Sequence, residues 1–420
     1  MIDIVDELKW RGLLALSTDE DALRKAFADG PVTFYCGFDP TAISLHLGNL
    51  VQILTMKRIQ LAGNKPLGLV GGATGLIGDP KPNAERVLND PEVVADWVNR
   101  LRGQIERFLD FEGPNAARMV NNLDWTSGMS AINLLRDVGK YFRVNNMIAK
   151  EAVARRLNSD AGISYTEFSY QVLQGMDFLE LYRRHGCTLQ TGGSDQWGNL
   201  TAGTDLIRKA EGTSAHALAT PLITKADGTK FGKTESGTVW LDPELTTPYA
   251  FYQFWLNADD RDVSKFLRIF SFKSHEEIEA LERETEEAPY KRAAQRALAE
   301  ELTVMVHGQE QLDRAIAASK ALFGQGELAE LDERTLAAAV AELPSAKVTE
   351  LGEIVDLFVA TGLSASRSAA RRTVGEGGAY VNNTKVEDEA ALATPADLLH
   401  GRWLVLRRGK RNLAAVELTG

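Results

Sequence analysis

The feature that most constrains the fold of this chain is an alternation, through its first half, of short apolar runs with segments of helical period. Val32-Thr33-Phe34-Tyr35-Cys36 reads as a strand, after which Leu50, Ile53, Leu54 and Leu61 fall at helical spacing. Pro66-Leu67-Gly68-Leu69-Val70-Gly71 reads as a second strand, residues 92–111 as a helix, and Arg118-Met119-Val120 as another strand. Strands that alternate with helices predict an α/β fold, a parallel sheet with helices on both faces. From about residue 247 to 322 the pattern is purely helical, as in 274–287 and 290–307, which Pro289 separates. An Ala-, Glu- and Leu-rich stretch then reaches Pro344; with Gly324 and Gly326 it reads as a mobile linker over 323–350. The last 70 residues begin with a short helical segment and pass to Gly-rich turns and strand-like runs such as Trp403-Leu404-Val405-Leu406.

Composition narrows the function. A chain of 420 residues can hold two or three domains, and 44% hydrophobic with 25% charged residues is ordinary for a soluble enzyme. No apolar run approaches the ~20 residues of a membrane helix. The start, Met1-Ile2-Asp3-Ile4-Val5-Asp6-Glu7, is acidic and lacks the pattern of a secretory or organellar leader, so a cytoplasmic location is expected. Cys36 and Cys187 are far apart and without metal-ligand spacing, so neither zinc nor a disulfide is expected. A net charge of −11 argues against indiscriminate coating of nucleic acid, yet it is unevenly spread. Residues 351–420 hold nine Lys/Arg and eight Asp/Glu, about +1, which leaves about −12 for the rest.

Two short segments carry the chemistry. Tyr35-Cys36-Gly37-Phe38-Asp39-Pro40-Thr41 leaves a strand, and Ser44-Leu45-His46-Leu47-Gly48-Asn49-Leu50 opens a helix. Ligands of open α/β sheets bind at strand carboxyl ends, and the free N–H groups of helix N-termini favour phosphate. His46 can donate to a phosphate oxygen, and Gly48 leaves room for a flat base against the backbone. By itself such a segment is more often a surface loop with an incidental His. Ala226-Asp227-Gly228-Thr229-Lys230-Phe231-Gly232-Lys233-Thr234 adds a Gly-rich loop with two lysines, suited to a leaving pyrophosphate but also to a solvated surface. Its spacing is not that of a P-loop.

Together, in this order, H-L-G-N and K-F-G-K-T resemble the HIGH and KMSKS signatures of class I aminoacyl-tRNA synthetases, and the second is similar to the form found in tyrosyl enzymes. The second His of many HIGH motifs is Asn49 here, which keeps a donor. Tyr170, Gln174 and Asp177 lie on one face of a helix that is otherwise apolar nearly all round, so their polar atoms need partners, either a ligand or an internal network. The run 167–178 resembles the tyrosine-pocket helix of that family. The resemblance implies that Tyr170 and Gln174 hold the substrate ammonium with Asp79, that Asp177 and Tyr35 bind the phenol, and that Gln196 lies near the reacting carboxylate. It also implies Asp195 at the ribose, and an ATP site of Gly37, Asp39, His46, Gly48, Asn49, Gly193, Asp195, Lys230 and Lys233. His46, Asn49, Lys230, Lys233 and Thr234 are the candidates for stabilising the transition state. Lys81 and Arg86, after Asp79, are weaker phosphate candidates.

In the tail, Leu363-Ser364-Ala365-Ser366-Arg367-Ser368-Ala369-Ala370-Arg371-Arg372 followed by Gly377-Gly378-Ala379-Tyr380-Val381-Asn382-Asn383 reads as a capped helix and a turn into a strand. It resembles the RNA-binding domain first known from a ribosomal small-subunit protein, S-four type, with Arg367, Arg371 and Arg372 as phosphate contacts. The implied order is a Rossmann-like parallel-sheet catalytic domain over 1–225, the KMSKS-like loop and an all-α domain over 226–322, the linker over 323–350, and a small α+β RNA-binding domain over 351–420. The implied reaction takes L-tyrosine, ATP accompanied by Mg2+, and the cognate tRNA, by way of tyrosyl-adenylate, in a homodimer, with no protein-bound metal. A tryptophanyl relative, or a non-catalytic RNA-binding protein on the same scaffold, are the alternatives; ATP–pyrophosphate exchange with each amino acid separates them.

Overall fold

The computed structural model describes residues 3–81, 87–160, 162–234 and 237–419. The chain forms two compact units, Met1–Asp242 with Asp259–Arg283, and Pro243–Ala258 with Glu284–Gly420.

The first unit is built on a six-stranded sheet of order β1-β6-β5-β2-β3-β4. The strands are β1 Leu16–Ser17, β2 Thr33–Phe38, β3 Lys65–Val70, β4 Arg118–Asn121, β5 Leu189–Gly193 and β6 His216–Thr220. All neighbours are parallel except β1, which runs antiparallel to β6. Phe34, Tyr35 and Cys36 are consecutive and all buried, because a parallel strand covered on both faces has no polar side. The helix Leu47–Leu61 returns from β2 to β3 and is buried nearly all round. The next helix, Pro91–Glu106, ends five residues before the boundary expected at 111. Gln60 explains the early stop: its amide accepts from Asp110 N and donates to the carbonyls of Asp110 and Asn115, turning the chain back toward β4. The helix Tyr165–His185 starts at the Ser164 cap and stops at Gly186 in the left-handed region, φ 62°. Leu173, Met176, Phe178, Leu179 and Leu181 pack it against Tyr35, Leu67 and Leu69 of the sheet. Lys233–Thr234 (β7) and Gly237–Thr238 (β8) form a two-stranded ribbon. Cys36 and Cys187 are buried free thiols.

The second unit packs the helices Pro248–Leu256, Ala293–His307, Gln309–Leu322 and Glu333–Ala341. It also carries a five-stranded sheet of order β11-β10-β12-β13-β9, made of β9 Ser345–Val348, β10 Ala379–Val381, β11 Thr384–Lys385, β12 Trp403–Arg408 and β13 Asn412–Leu418. The helices Ile354–Ala360 and Arg367–Gly375 share a core with this sheet through Phe358, Ala370, Val374 and Leu404.

The segment 323–350 differs from the expected mobile linker. The Asp332-capped helix Glu333–Ala341 buries Leu336, Ala339 and Val340, and β9 joins the sheet parallel to β13. Its Ala- and Leu-rich composition is that of a packing face rather than a spacer. The tail is further fastened by Asn383, whose Nδ2 donates to Ala321 O at 2.6 Å, and by His400 against Leu331 O at 2.8 Å. Nor does the chain divide at 225: the K-F-G-K-T loop and the helix Asp260–Phe270 fall in the first unit.

Candidate active site

The site lies at the carboxyl ends of β2, β3 and β5, where a parallel sheet opens to its ligands. β2 carries Tyr35, Gly37 and, one residue past its end, Asp39. Gly37 is exposed within an otherwise buried strand, which bares the backbone there. Tyr35 is 1% exposed, its ring 5.2 Å from that of Phe178, and its hydroxyl has no hydrogen-bond partner among the described residues. Burial, with the charge of Asp177, pushes its phenol well above the usual range.

Asp177 is 2% exposed and does not stand alone. Trp125 Nε1 donates to Oδ1 at 2.8 Å and Asn122 Nδ2 to Oδ2 at 2.9 Å. Burial raises its pKa to about 7 against the pull of those two donors. Asn122 is fully buried; it also donates to Thr74 Oγ1 and accepts from Ala73 N. Thr74 and Tyr170 in turn each donate to Asp39 at 2.6 Å. The stripe expected on the helix Tyr165–His185 is thus realised: Tyr170 and Asp177 are buried, and Gln174 is half-buried beside them. Gly71 can only be glycine, since a Cβ there would lie 2.1 Å from Asp39 Oδ1.

A second network surrounds Asp79. Gln196 Nε2 donates to its Oδ2 at 3.1 Å, while Lys150 Nζ and Asn199 Nδ2 approach Oδ1 at 3.2 and 3.3 Å. Asp195 is exposed at the carboxyl end of β5, and a Cβ on Gly193 would lie 2.4 Å from its Oδ1.

His46 caps the helix Leu47–Leu61. Its Nδ1 accepts from Gly48 N at 3.0 Å, and Asn49 Oδ1 accepts from His46 N at 3.1 Å, closing a reciprocal cap. An accepting Nδ1 leaves the proton on Nε2. Burial holds the imidazolium below the ordinary range and the charge of Lys233 acts the same way, so His46 is a neutral Nε2–H donor at a helix N-terminus. Gly48 makes room for His46 itself, because a Cβ there would meet Cε1 at 2.8 Å. The K-F-G-K-T loop lies against this segment. Leu47 N donates to Val239 O, Leu241 N to Leu45 O, and a Cβ on Gly232 would be 3.2 Å from Leu47 Cβ. Phe231 anchors the loop between Phe266 and Phe270, with ring centroids 5.0 and 5.3 Å away. Lys230, Lys233 and Thr234 are exposed on it.

The structure therefore brings together Tyr35, Asp39, Tyr170 and Asp177, and separately Asp79 with Gln196, and His46 with the lysine loop. Lys81 is exposed, and its carbonyl accepts from Arg156; Arg86 lies outside the described residues. In the second unit Arg367 is taken up by Glu353 and Asp356, Arg371 lies 3.9 Å from Glu353, and Arg372 is exposed with no ion pair among the described residues. Sequence reasoning missed Asn122, Trp125 and Lys150. Asn122 follows the carboxyl end of β4, a place where ligand-site residues gather, and that signal was available. Lys150 has none. Among the described residues no group of three or more His, Cys, Asp or Glu could hold a metal ion, and no helix is long and apolar enough to cross a membrane.

Residues 28–324 match the family model described as tRNA synthetases class I (W and Y), and residues 335–416 match a tyrosine--tRNA ligase SYY-like C-terminal domain. A protein named tyrosine--tRNA ligase from Streptomyces avermitilis is 81% identical over all of both chains, and one from Thermobifida fusca is 63% identical, also over all of both. A solved C-terminally truncated mitochondrial tyrosyl-tRNA synthetase from Coccidioides posadasii is 30% identical over 75% of this chain and 91% of its own, with a TM-score of 0.67. With matches that run the length of the sheet unit and into the tail, the chain belongs to the class I tRNA synthetases of the tryptophan and tyrosine group.

Proposed function

We infer that this protein is a tyrosine–tRNA ligase, which activates L-tyrosine with ATP to tyrosyl-adenylate and pyrophosphate and passes tyrosine to the terminal adenosine of its tRNA. The observation that carries the choice of amino acid is the Tyr35 hydroxyl, buried and unpartnered beside the Asp177 carboxylate. A phenol between them gives the Tyr35 hydroxyl its partner and donates a hydrogen bond to Asp177; phenylalanine does neither and leaves the buried Tyr35 hydroxyl unpaired. Asp79, Tyr170 and Gln174 then receive the ammonium, and Gln196 faces the carboxylate.

The carboxylate attacks the α-phosphate in line and pyrophosphate leaves. His46 donates from Nε2 to a phosphate oxygen, Asn49 retains an amide N–H2 for the same task, and Lys230, Lys233 and Thr234 meet the growing charge on the leaving group from the loop. Gly37, Gly48, Gly193, Asp39 and Asp195 border the nucleotide. Mg2+ enters with the ATP as part of the substrate. The tRNA's terminal hydroxyl then attacks the adenylate, and Arg367, Arg371 and Arg372 of the tail are its proposed phosphate contacts. A second copy of this chain is the proposed partner. Ile132, Leu135 and Val144, in the stretch between β4 and the tyrosine-pocket helix, and Tyr165 at the start of that helix, all 56–70% exposed, support an apolar face for it. The cytoplasm is the proposed location.

The test is ATP–pyrophosphate exchange with each of the twenty amino acids. Exchange with tyrosine is expected; exchange with tryptophan alone, or with none, overturns the reading.

A further inference from the structure

Lys150 sits at the N-cap of the short helix Glu151–Leu157, and its stem passes over Gly198, where a Cβ would lie 3.7 Å from its Cγ. Its ammonium ends inside the Asp79 network, with side-chain exposures of 14% for Lys150 and 19% for Asp79. Nζ donates to Asn199 Oδ1 at 2.7 Å and to Asp79 Oδ1 at 3.2 Å. Asn199, fully buried, donates through Nδ2 to Gln196 Oε1 at 2.7 Å and to Asp79 Oδ1 at 3.3 Å. Gln196 donates through Nε2 to Asp79 Oδ2 at 3.1 Å and, more weakly, to Asp195 at 3.4 Å.

The polarity of this ring follows from its members. An amide has nearly the same outline either way round, and its direction is fixed by its partners. An ammonium can only donate, so Lys150 takes the oxygen of Asn199. That turns the Asn199 N–H2 onto the oxygen of Gln196 and the Gln196 N–H2 toward the carboxylates. Asp79, which can only accept, fixes the same direction from the other end, but it is the group that the incoming ammonium engages. From that moment the amides are held chiefly by Lys150 at the Asn199 end, with only the weaker 3.4 Å contact to Asp195 at the Gln196 end.

We propose that Lys150 is a positioning residue for amino-acid activation: acting through Asn199, it keeps the Gln196 N–H2 aimed at the reacting carboxylate once the substrate ammonium has taken Asp79. The proposal rests on the reading of Asp79 and Gln196 given above. It has a second consequence of definite sign. Lys150 shares Asp79 Oδ1 with the substrate ammonium, so removing its charge leaves Asp79 more attractive to tyrosine. Lys150→Met therefore lowers the rate without weakening tyrosine, the pattern of a lost transition-state contact combined with relieved competition in the ground state.

The experiment is steady-state ATP–pyrophosphate exchange on the full chain for Lys150→Met, Lys150→Arg, Asn199→Ala and the Lys150→Met/Asn199→Ala double variant, each checked by thermal melting. For Lys150→Met a fall in kcat of about tenfold or more is expected, with a tyrosine KM unchanged or lower. Arginine, also donor-only, should restore most of the rate, and the double variant should be no slower than the slower single one. Three results overturn the proposal: kcat of Lys150→Met within twofold of the parent, a tyrosine KM that rises with kcat unchanged, or losses that multiply in the double variant. Asp79→Asn and Gln196→Ala keep the two readings apart. If these leave tyrosine activation intact, the site assignment itself fails; if they impair it while Lys150→Met does not, the Lys150 inference alone fails.

Discussion

The hydroxyl of Tyr35 is buried and unpartnered among the described residues, a condition that costs a protein about 1–3 kcal/mol. Tyr35→Phe removes it, so two effects of opposite sign are expected. Resistance to denaturant of the ligand-free enzyme should rise by up to that amount, while kcat/KM for tyrosine falls and the preference over phenylalanine narrows. A variant that loses stability and keeps its preference would show that the hydroxyl serves packing instead. Asp177 offers a pH test. Burial places its pKa at about 7, and in the proposed role it accepts the phenol's hydrogen bond more strongly when ionised. Tyrosine affinity should therefore increase as pH rises through about 7, and Asp177→Asn should flatten that rise as well as weaken tyrosine more than phenylalanine. Titrations of tyrosine binding from pH 6 to 8 decide it; an unchanged slope in the variant would assign the transition elsewhere.

At the scale of elements, the lysine loop is held at its start by Ala226 N–H on the Asp262 carboxylate and near the lysines by Phe231, which lies between Phe266 and Phe270. Phe231→Ala should leave tyrosine Kd within about twofold and lower the rate of adenylate formation by about tenfold or more, since the lysines act on a transition state that a wandering loop no longer meets. Pre-steady-state fluorescence checks this, and an equal loss in tyrosine affinity would contradict it. The elements also show what a sequence reveals. The stripe Tyr170, Gln174 and Asp177 was legible because helical period places them together without knowledge of any neighbour. Trp125 was not, because its meaning lies in Asp177, 52 positions away; Asn122, 55 positions from Asp177, had only its place after β4 to mark it, and that does not name its partner. Lys150 was hidden for the same reason, a lone lysine whose partners Asp79 and Asn199 are 71 and 49 positions off. The 323–350 stretch misled because its glycines suggested a spacer while its alanines and leucines packed a helix.

At the scale of the whole molecule, the proposed adenylate-site residues run from Tyr35 to Thr234, whereas the five-stranded sheet of the tail begins at β9. Ending the chain just before Pro344 removes that sheet entire and keeps the helix Glu333–Ala341, which packs on Gln309–Leu322. Tyrosine-dependent pyrophosphate exchange is expected to stay near normal and tRNA charging to be lost or severely reduced. Within the intact tail, exposed Arg372 should matter more to RNA than Arg367, whose charge Glu353 and Asp356 already engage. Arg372→Ala should lower the logarithmic salt slope of tRNA binding by up to about one. A truncated protein that charges full-length tRNA normally would make the tail an appendage.

On the proposed reading, β2 and the residue after it carry both halves of the reaction on one stretch of backbone: Tyr35 toward the amino acid, Gly37 in the middle, and Asp39, one residue past the strand's end, toward the nucleotide. At ~3.3 Å per residue, the first and last stand ~13 Å apart along the strand. β2 pairs with β3 along Thr33–Phe38 and with β5 over Phe34–Cys36, so this stretch of backbone can change its length little and sets a spacing between the two ends. For inhibitor design this means that a two-headed compound, a phenol joined to an adenosine, gains from both heads only when its spacer matches that length.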